Sequence, residues 1–302
     1  MEPNREKLYS INKHDLKYFK KDIDYSLLTP QGKKVYEEHN TKDIGSIDYR
    51  IKEYNEVKER NEDEYIDLSM LSLSHIPITL STTLKYLFIS SNKLTSLGNL
   101  SHLINLEALD CSNNNLNSLD NLPVSLTELV CKYNKLTMLN VSNLKCLEIL
   151  DCGNNNISTL EYGNSLTQLD CNNNKLTVLN KYNSLQTLTV LSCEFNKLEK
   201  IPEYPNLKIL NCSHNKITSI DNLPHLEELY CDNNKILRIN GINEIHTISC
   251  MENPEITIPY FSKLAEITCT AKQVNVSRRY NVLNIIHFGN EDLYFFKTSP
   301  TS

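Results

Sequence analysis

The sequence predicts an α/β solenoid whose turns contribute parallel strands to one long sheet. A frame of the form Leu-x-x-Leu-x-Cys-x-x-Asn-x-Leu-x-x-Leu is clearest from Leu106 to Leu119, and it recurs every 19 to 22 residues. Asparagine occupies position nine of nearly every copy, and all but one of the ten cysteines occupy position six. Self-similarity at this period indicates stacked repeats that each contact only their neighbours. The regular copies begin at Leu84, Leu106, Leu126, Leu147, Leu166, Leu188, Leu207 and Leu226.

Residues 1–62 do not fit the frame, and we expect them to form a helical N-terminal cap. Apolar residues spaced three or four apart predict one face of an amphipathic helix, and a second helix is predicted around 14–23. A solenoid has to cover the core exposed at its end. An independent docking module in 1–62 is the alternative. The apolar positions are Ile44, Ile47, Ile51, Tyr54 and Val57.

About eleven repeats are predicted over 63–277, with the first and the last two degenerate. In the first, Leu71 replaces the asparagine, and near the C-terminal end Pro254 follows Asn253 directly. Atypical terminal repeats are usual in such arrays. We expect residues 278–302 to form a C-terminal cap and tail.

Positions four and six alternate as in a β-strand and are predicted to point inward. The asparagine at position nine carries both donors and an acceptor, so it can satisfy backbone groups where the chain turns. The rest of each repeat is too short for an α-helix. It is therefore predicted to be extended or a single 3-10 turn. The asparagines are Asn92, Asn114, Asn134, Asn155, Asn174, Asn196, Asn215, Asn234 and Asn253.

Cysteine at position six predicts small buried thiols rather than disulfides, because free cysteine behaves as a small hydrophobic residue. Reduced thiols are typical of a reducing compartment. The N-terminus lacks the apolar core of a signal peptide, and no apolar run is long enough to cross a bilayer. We expect an intracellular, most simply cytoplasmic, protein.

The frame over 63–277 resembles the leucine-rich repeat family, in the short-repeat type found in bacterial effectors. The Asn, Ile, Lys and Tyr bias with cysteine at position six is also similar to repeat proteins of giant DNA viruses. The resemblance implies an arc with a parallel β-sheet on its concave face and short extended or 3-10 segments on the convex side. Some effectors add a ubiquitin-ligase domain with a Cys-x-Asp motif, which does not occur in this sequence.

Positions two, three, five, seven and eight are predicted to face solvent on the concave side, where acids outnumber bases and aromatics recur. Exposed aromatic side chains on a rigid face are candidate binding anchors. Lysines at position ten form a basic column beside the asparagines. The residues predicted to contact a partner are Phe88, Glu107, Asp110, Glu128, Tyr133, Asp151, Asp170, Phe195, Glu228, Tyr230 and Asp232.

These patterns predict a non-enzymatic scaffold that binds another protein, with basic character in the partner. The sequence has no phosphate-binding loop, no nucleophile elbow and no zinc motif, so no cofactor and no metal are expected. The net charge of -6 disfavours nucleic acid, and we expect no membrane partner and a monomer. The alternative function is an adaptor that links a target to a ubiquitin ligase through residues 1–62.

Overall fold

The computed structural model describes residues 65–76, 79–179, 185–254, 256–259, 261–270, 274–276, 282–288 and 291–296. Residues 1–62, where a helical cap and a docking module were considered, lie outside this part of the chain. So do residues 278–281, 289–290 and 297–302 of the predicted C-terminal cap and tail. The described residues belong to the compact unit that begins at Ile51.

The described turns build a 13-stranded sheet, of which the first eleven strands are parallel. Neighbouring strands pair without a shift, so that Leu109 lies opposite Leu87 on one side and Leu129 on the other. Each strand is short because only positions three to five are extended. The parallel strands are β1 (Tyr65–Asp67), β2 (Tyr86–Phe88), β3 (Ala108–Asp110), β4 (Glu128–Val130), β6 (Ile149–Asp151), β8 (Gln168–Asp170), β9 (Val190–Ser192), β10 (Ile209–Asn211), β12 (Glu228–Tyr230), β14 (Thr247–Ser249) and β16 (Glu266–Thr270).

The return segments of several turns are also extended and form two smaller parallel sheets. β5 (Met138–Val141) pairs with β7 (Thr159–Tyr162). A second sheet has the order β11 (Ser219–Asp221), β13 (Arg238–Asn240), β15 (Ile256–Ile258), β17 (Val274–Val276). The prediction of extended return segments is therefore confirmed. The described residues contain neither an α-helix nor a 3-10 helix.

The long sheet changes direction at its C-terminal end. β19 (Glu291–Phe296) pairs antiparallel with β16, and β18 (Val282–Phe288) pairs antiparallel with β19. An antiparallel pair can add to a sheet without the long crossover that another parallel strand requires. The regular repeat therefore stops after β16.

The core consists of the leucine columns and the position-six cysteines. Leu106, Leu109, Leu116 and their equivalents are fully buried. All nine position-six cysteines are buried and free, whereas Cys146 is exposed. Burial raises the pKa of these nine thiols, so they are held in the protonated form. The predicted thiol column is confirmed.

The position-nine asparagines hydrogen-bond successive turns together. Asn114 Nδ2 donates to the carbonyl oxygens of Ile89, Cys111 and Ser112 at 2.9, 3.1 and 3.1 Å. Its Oδ1 accepts the N–H of Leu94 at 3.0 Å. The same arrangement recurs along the array, and each amide joins its own turn to the one before it. Buried turns thereby keep their backbone groups satisfied.

Candidate partner-binding face

We call the outward side of the 13-stranded sheet, with the turns that directly follow its strands, the sheet face. It comprises positions two, three, five, seven and eight of each repeat. Positions three and five flank the buried leucine at position four, so their side chains point away from the core. Position eight lies past the strand, in the turn.

The aspartates at position five close a turn at the end of their strands. Each accepts a hydrogen bond from the backbone N–H two residues further on, at 2.9 Å for Asp110, 3.2 Å for Asp151 and 3.0 Å for Asp170. Such side-chain-to-backbone turns favour Asp and Asn at this position without any ligand. Their structural role was not foreseen from the sequence.

Four carboxyl groups nevertheless converge on β3, β4, β6 and β8. Asp151 lies directly opposite Asp170. Asp110 and Asp151 each lie opposite Val130, one from either side. Glu128 stands two residues before Val130 on the central strand. Since neighbouring strands are ~4.8 Å apart, these charges interact. We call these four residues the acidic cluster.

The pKa values of three members of the acidic cluster, Asp110, Glu128 and Asp170, are raised. Burial raises the pKa of Glu128 to about 7, with a further contribution from the carboxylates of Asp110 and Asp151. Burial also raises the pKa of Asp170 to about 7, and Asp151 again adds to the shift. For Asp110, burial outweighs the hydrogen bonds from Ser112, so its pKa is raised as well. Near neutral pH Glu128 and Asp170 therefore keep protons that ordinary surface carboxyls lose.

Among the described residues, one basic side chain, Lys132, forms an ion pair with the acidic cluster. Lys132 Nζ lies 2.8 Å from Asp151 Oδ2, whose side chain is only 5% exposed. Burial lowers the pKa of Lys132, but the Asp151 carboxylate, with Asp170 and Asp110, outweighs it, and the pKa is raised. Asp151 is thus occupied by a pairing within the chain, and it is less available to a partner than the sequence suggested.

A buried acceptor without a partner lies next to the cluster. Gln168 Oε1 is inaccessible to solvent and accepts no hydrogen bond from the described residues. Gln168 stands on β8 two residues before Asp170 and pairs with Ile149. A buried polar atom that lacks a hydrogen bond costs ~1–3 kcal/mol. The burial of this atom was not foreseen from the sequence, because glutamine at position three is an ordinary surface residue.

Further along the sheet the predicted acids are engaged in local hydrogen bonds. Tyr230 Oη donates to Glu228 Oε2 at 3.0 Å, and Tyr86 Oη donates to Glu107 Oε2 at 3.3 Å. Asp232 accepts from Ser249 Oγ and from the N–H of Met251. These contacts fix the orientation of Tyr230 and Glu228 on the sheet face.

The predicted aromatic anchors differ in exposure. Phe88 is 6% exposed and packs against the ring of Tyr65, with centroids 5.5 Å apart. Its expected exposure is wrong, because the aromatic residue on the neighbouring strand covers it. Tyr133 and Phe195 are 55% and 45% exposed, and Phe195 stacks on His214 with centroids 4.0 Å apart.

Tyr133 and Phe195 are held by an unusual backbone. Both stand at position eight, with φ of 54° and 53°, and the residues at position eight from Ser91 to Glu252 have similar values. A left-handed backbone is costly for residues other than glycine and usually reflects a tight local constraint. Here the asparagine ladder supplies that constraint. The two rings therefore project from fixed points at the border of the sheet face.

We find no candidate metal centre in the part of the chain that the structure describes. Its His, Cys, Asp and Glu side chains nowhere form a group of three or more that could hold a metal ion. Among the same residues, no helix has the length and apolarity needed to cross a membrane.

The described turns are similar in fold to leucine-rich repeats. The family model for Leucine Rich repeats (2 copies) matches residues 205–244. Among solved structures, YopM from Yersinia enterocolitica WA-314 is 26% identical, with a TM-score of 0.56 over 69% of this chain and 49% of that one. This chain therefore spans about half the length of that YopM chain. The predicted resemblance to effector repeats is confirmed, whereas the similarity to viral repeat proteins stays a prediction.

Two further structures share the fold at lower identity. The leucine-rich repeat domain of APL1B is 17% identical, with a TM-score of 0.56 over 86% of this chain and 96% of that one. TLR13, solved in complex with ssRNA13, is 23% identical, with a TM-score of 0.52 over 64% of this chain and 34% of that one. No sequence among the curated proteins matches this chain. Solenoids of this class generally serve as interaction scaffolds with extended binding surfaces.

Proposed function

We propose that the protein is a non-enzymatic scaffold that binds a partner protein through its sheet face. The acidic cluster recognises a lysine or arginine of the partner. Tyr133, Phe195 and Tyr230 supply flanking apolar contacts. The leucine, cysteine and asparagine columns are buried and build the fold. Binding is therefore assigned to the side chains of the sheet face.

The observation that carries this proposal is the excess of acceptors at the centre of the sheet face. Asp110, Glu128 and Asp170 are charged at a cost, and Gln168 Oε1 has no donor. Lys132 is the one basic side chain described in contact with the cluster. A guanidinium carries five donors and fits planar carboxylates closely, so it would stabilise the charged forms of Asp110, Glu128 and Asp170.

The aromatic residues support the same assignment. Tyrosine and phenylalanine exposed on a rigid backbone are typical hot-spot residues, since little conformational entropy is lost when they are buried. Tyr133 and Phe195 stand at fixed positions in the array, four and seven turns from its start. A partner that contacts both covers at least three turns, roughly 15 Å of the sheet.

Affinity capture from an extract of the source cells tests the proposal. The bait is the full chain, compared with a Tyr133→Ala/Phe195→Ala/Tyr230→Ala variant. We expect recovery of the specific partner to fall at least ~10-fold, because a hot-spot residue contributes over ~1 kcal/mol. An Ile104→Ala/Val124→Ala variant is the control and should capture normally, because these exposed residues stand two positions before the first leucine of a repeat, on the edge opposite the turns that follow the strands. Equal recovery by all three baits would remove the sheet face from consideration.

The adaptor alternative depends on residues 1–62, which lie outside the described part of the chain. Deleting them distinguishes the two predicted roles. Loss of a cap exposes the first turn and should unfold or aggregate the repeats. Loss of a docking module should leave the repeats folded, with unchanged binding at the sheet face and one partner missing. The monomeric state stays a prediction.

A further inference from the structure

We propose that a second surface of the protein, separate from the sheet face, docks on membranes rich in anionic lipids. This surface, the turn edge, comprises positions ten, twelve and thirteen, which lie beyond the asparagine ladder on the flank of the solenoid. Position ten carries an exposed lysine in six turns, Lys93, Lys135, Lys175, Lys197, Lys216 and Lys235, and position thirteen adds the exposed Lys200 and Arg238.

The lysine row is held straight by the backbone. The N–H of each position-ten residue donates to the carbonyl of position eleven in the preceding turn. These bonds measure 2.8 Å for Lys175 and Lys197 and 2.9 Å for Lys235. The asparagine that precedes each lysine also bonds to the preceding turn. Asn196 Oδ1, for example, accepts the N–H of Leu176, the residue after Lys175, at 2.9 Å. Lysines on successive turns are therefore spaced by the strand separation, ~4.8 Å.

The charges of the row are not neutralised by the described residues. The ion pairs of the described chain involve Lys132, Lys208, Arg238 and Lys263, and none involves a position-ten lysine. One exposed acid, Glu199, also lies on this edge. Like charges at this spacing repel each other, so the row is stabilised by a polyanionic surface.

Apolar side chains accompany the lysines. Met138 and Val178, both 64% exposed, stand at position thirteen, and Leu237, 59% exposed, stands at position twelve. Each lies two or three residues after a lysine of the row. Lysine beside exposed aliphatic side chains is the composition of surfaces that insert shallowly at a lipid headgroup boundary, with the ammonium groups on the phosphates.

A lipid surface fits this edge better than a nucleic acid. Proteins that bind single strands stack bases on aromatic side chains in a basic groove. Positions ten to thirteen of the turns from Lys93 to Arg238 contain no aromatic residue. The acidic sheet face would be repelled by an anionic membrane, so docking by the turn edge leaves that face open. The expectation of no membrane partner rested on the lack of a spanning segment, which peripheral docking does not require.

Vesicle co-sedimentation of the full chain tests the proposal. We expect binding to phosphatidylcholine vesicles that contain phosphatidylserine and none to phosphatidylcholine alone. A Lys175→Gln/Lys197→Gln/Lys216→Gln variant should bind roughly 100-fold more weakly, since each lysine near an anionic surface contributes ~1 kcal/mol. The control, Lys145→Gln/Lys208→Gln/Lys263→Gln, changes the net charge equally and should bind like the wild type.

A second pair of variants separates docking from general charge attraction. Met138→Ser/Val178→Ser should weaken vesicle binding roughly 10-fold, because two aliphatic side chains no longer insert. Ile104→Ser/Val124→Ser removes apolar residues of matching exposure from the opposite edge and should have no effect. All variants are first checked for wild-type thermal melting.

Three results would overturn the proposal. They are an absence of binding to the anionic vesicles, equal losses in the two lysine variants, and equal losses in the two apolar variants. Lysine-dependent binding to a single-stranded oligonucleotide without binding to vesicles would assign the edge to nucleic acid instead.

Discussion

At the scale of single residues, the asparagine ladder is the main polar element of the core. Asn155 donates from Nδ2 to three carbonyl oxygens and accepts the N–H of Leu136 at 3.1 Å. An aspartate would lack the donors, and an alanine lacks both donors and acceptor. One side chain therefore satisfies backbone groups of two adjacent turns.

Replacing Asn155 by alanine should lower the free energy of unfolding by about 3 kcal/mol, since buried backbone groups lose their partners at ~1–3 kcal/mol each. Denaturant unfolding followed by circular dichroism measures this change. Asn156→Ala, at the exposed neighbouring position, is the matched control and should change stability by less than ~0.5 kcal/mol. A similar loss in both variants would contradict the role given to the ladder.

The raised pKa values of Glu128 and Asp170 predict a pH dependence of stability. In the folded protein both carboxyls have a pKa of about 7, above their ordinary values of 4.5 and 3.8. The folded state therefore binds more protons between those limits, and stability increases as pH falls from about 8 to about 5. This contribution to stability is lost as pH rises through about 7.

A Glu128→Gln/Asp170→Asn variant should melt at a higher temperature than the wild type at pH ~8, with a gain on the order of 1 kcal/mol after solvent screening. Its melting temperature should also change less with pH. Glu148→Gln, an exposed acid on the same sheet, serves as the comparison. An equal slope of melting temperature against pH in the wild type, the double variant and Glu148→Gln would show that the acidic cluster does not destabilise the fold.

The sequence predicted the buried core more completely than the candidate binding residues of the sheet face. The thiols and asparagines recur in fixed columns, so their burial follows from the period alone. The burial of Phe88 depends on Tyr65 on the neighbouring strand, and the pairing of Lys132 with Asp151 depends on strand register. Contacts between turns involve residues about 20 positions apart in the sequence. The repeat pattern does not specify the identity of those residues.

At the scale of elements, one contact joins turns that are not adjacent. Tyr162, at the end of β7, and Tyr204 are 5% and 1% exposed, and their hydroxyl oxygens are 3.0 Å apart. The two residues are 42 positions apart, which is two turns of the solenoid. This hydrogen bond therefore couples the stability of two turns that are not adjacent.

Tyr162→Phe should destabilise the fold by ~1–3 kcal/mol because it leaves the buried hydroxyl of Tyr204 without this bond. The double variant Tyr162→Phe/Tyr204→Phe should lose less than the sum of the single variants. Equilibrium unfolding of the four proteins completes the cycle. Additive losses would show that the two hydroxyls are independent.

The elements themselves were predicted unevenly. The strands at positions three to five follow from the alternation around the buried leucine, and the short return segments exclude helices. The small sheets formed by β5, β7, β11, β13, β15 and β17 were not foreseen. Whether an extended return segment pairs depends on the alignment of adjacent turns rather than on its own residues.

At the scale of the whole molecule, the repeat separates three surfaces that the sequence interleaves. Side chains at positions one, four, six, nine, eleven and fourteen build the solenoid. Those at two, three, five, seven and eight build the sheet face, and those at ten, twelve and thirteen build the turn edge. The acids lie mainly on the sheet face and the unpaired lysines on the turn edge. The two proposed functions therefore use separate surfaces of the same repeats.

The location of the partner on the sheet face is the central claim, and site-specific photo-crosslinking measures it most directly. A photoreactive phenylalanine analogue replaces Tyr133 or Phe195 at the border of the face, or Ile104 or Val124 on the opposite edge. The account predicts crosslinks to the captured partner from Tyr133 and Phe195 and none from Ile104 and Val124. Crosslinks from Ile104 or Val124 alone would contradict it.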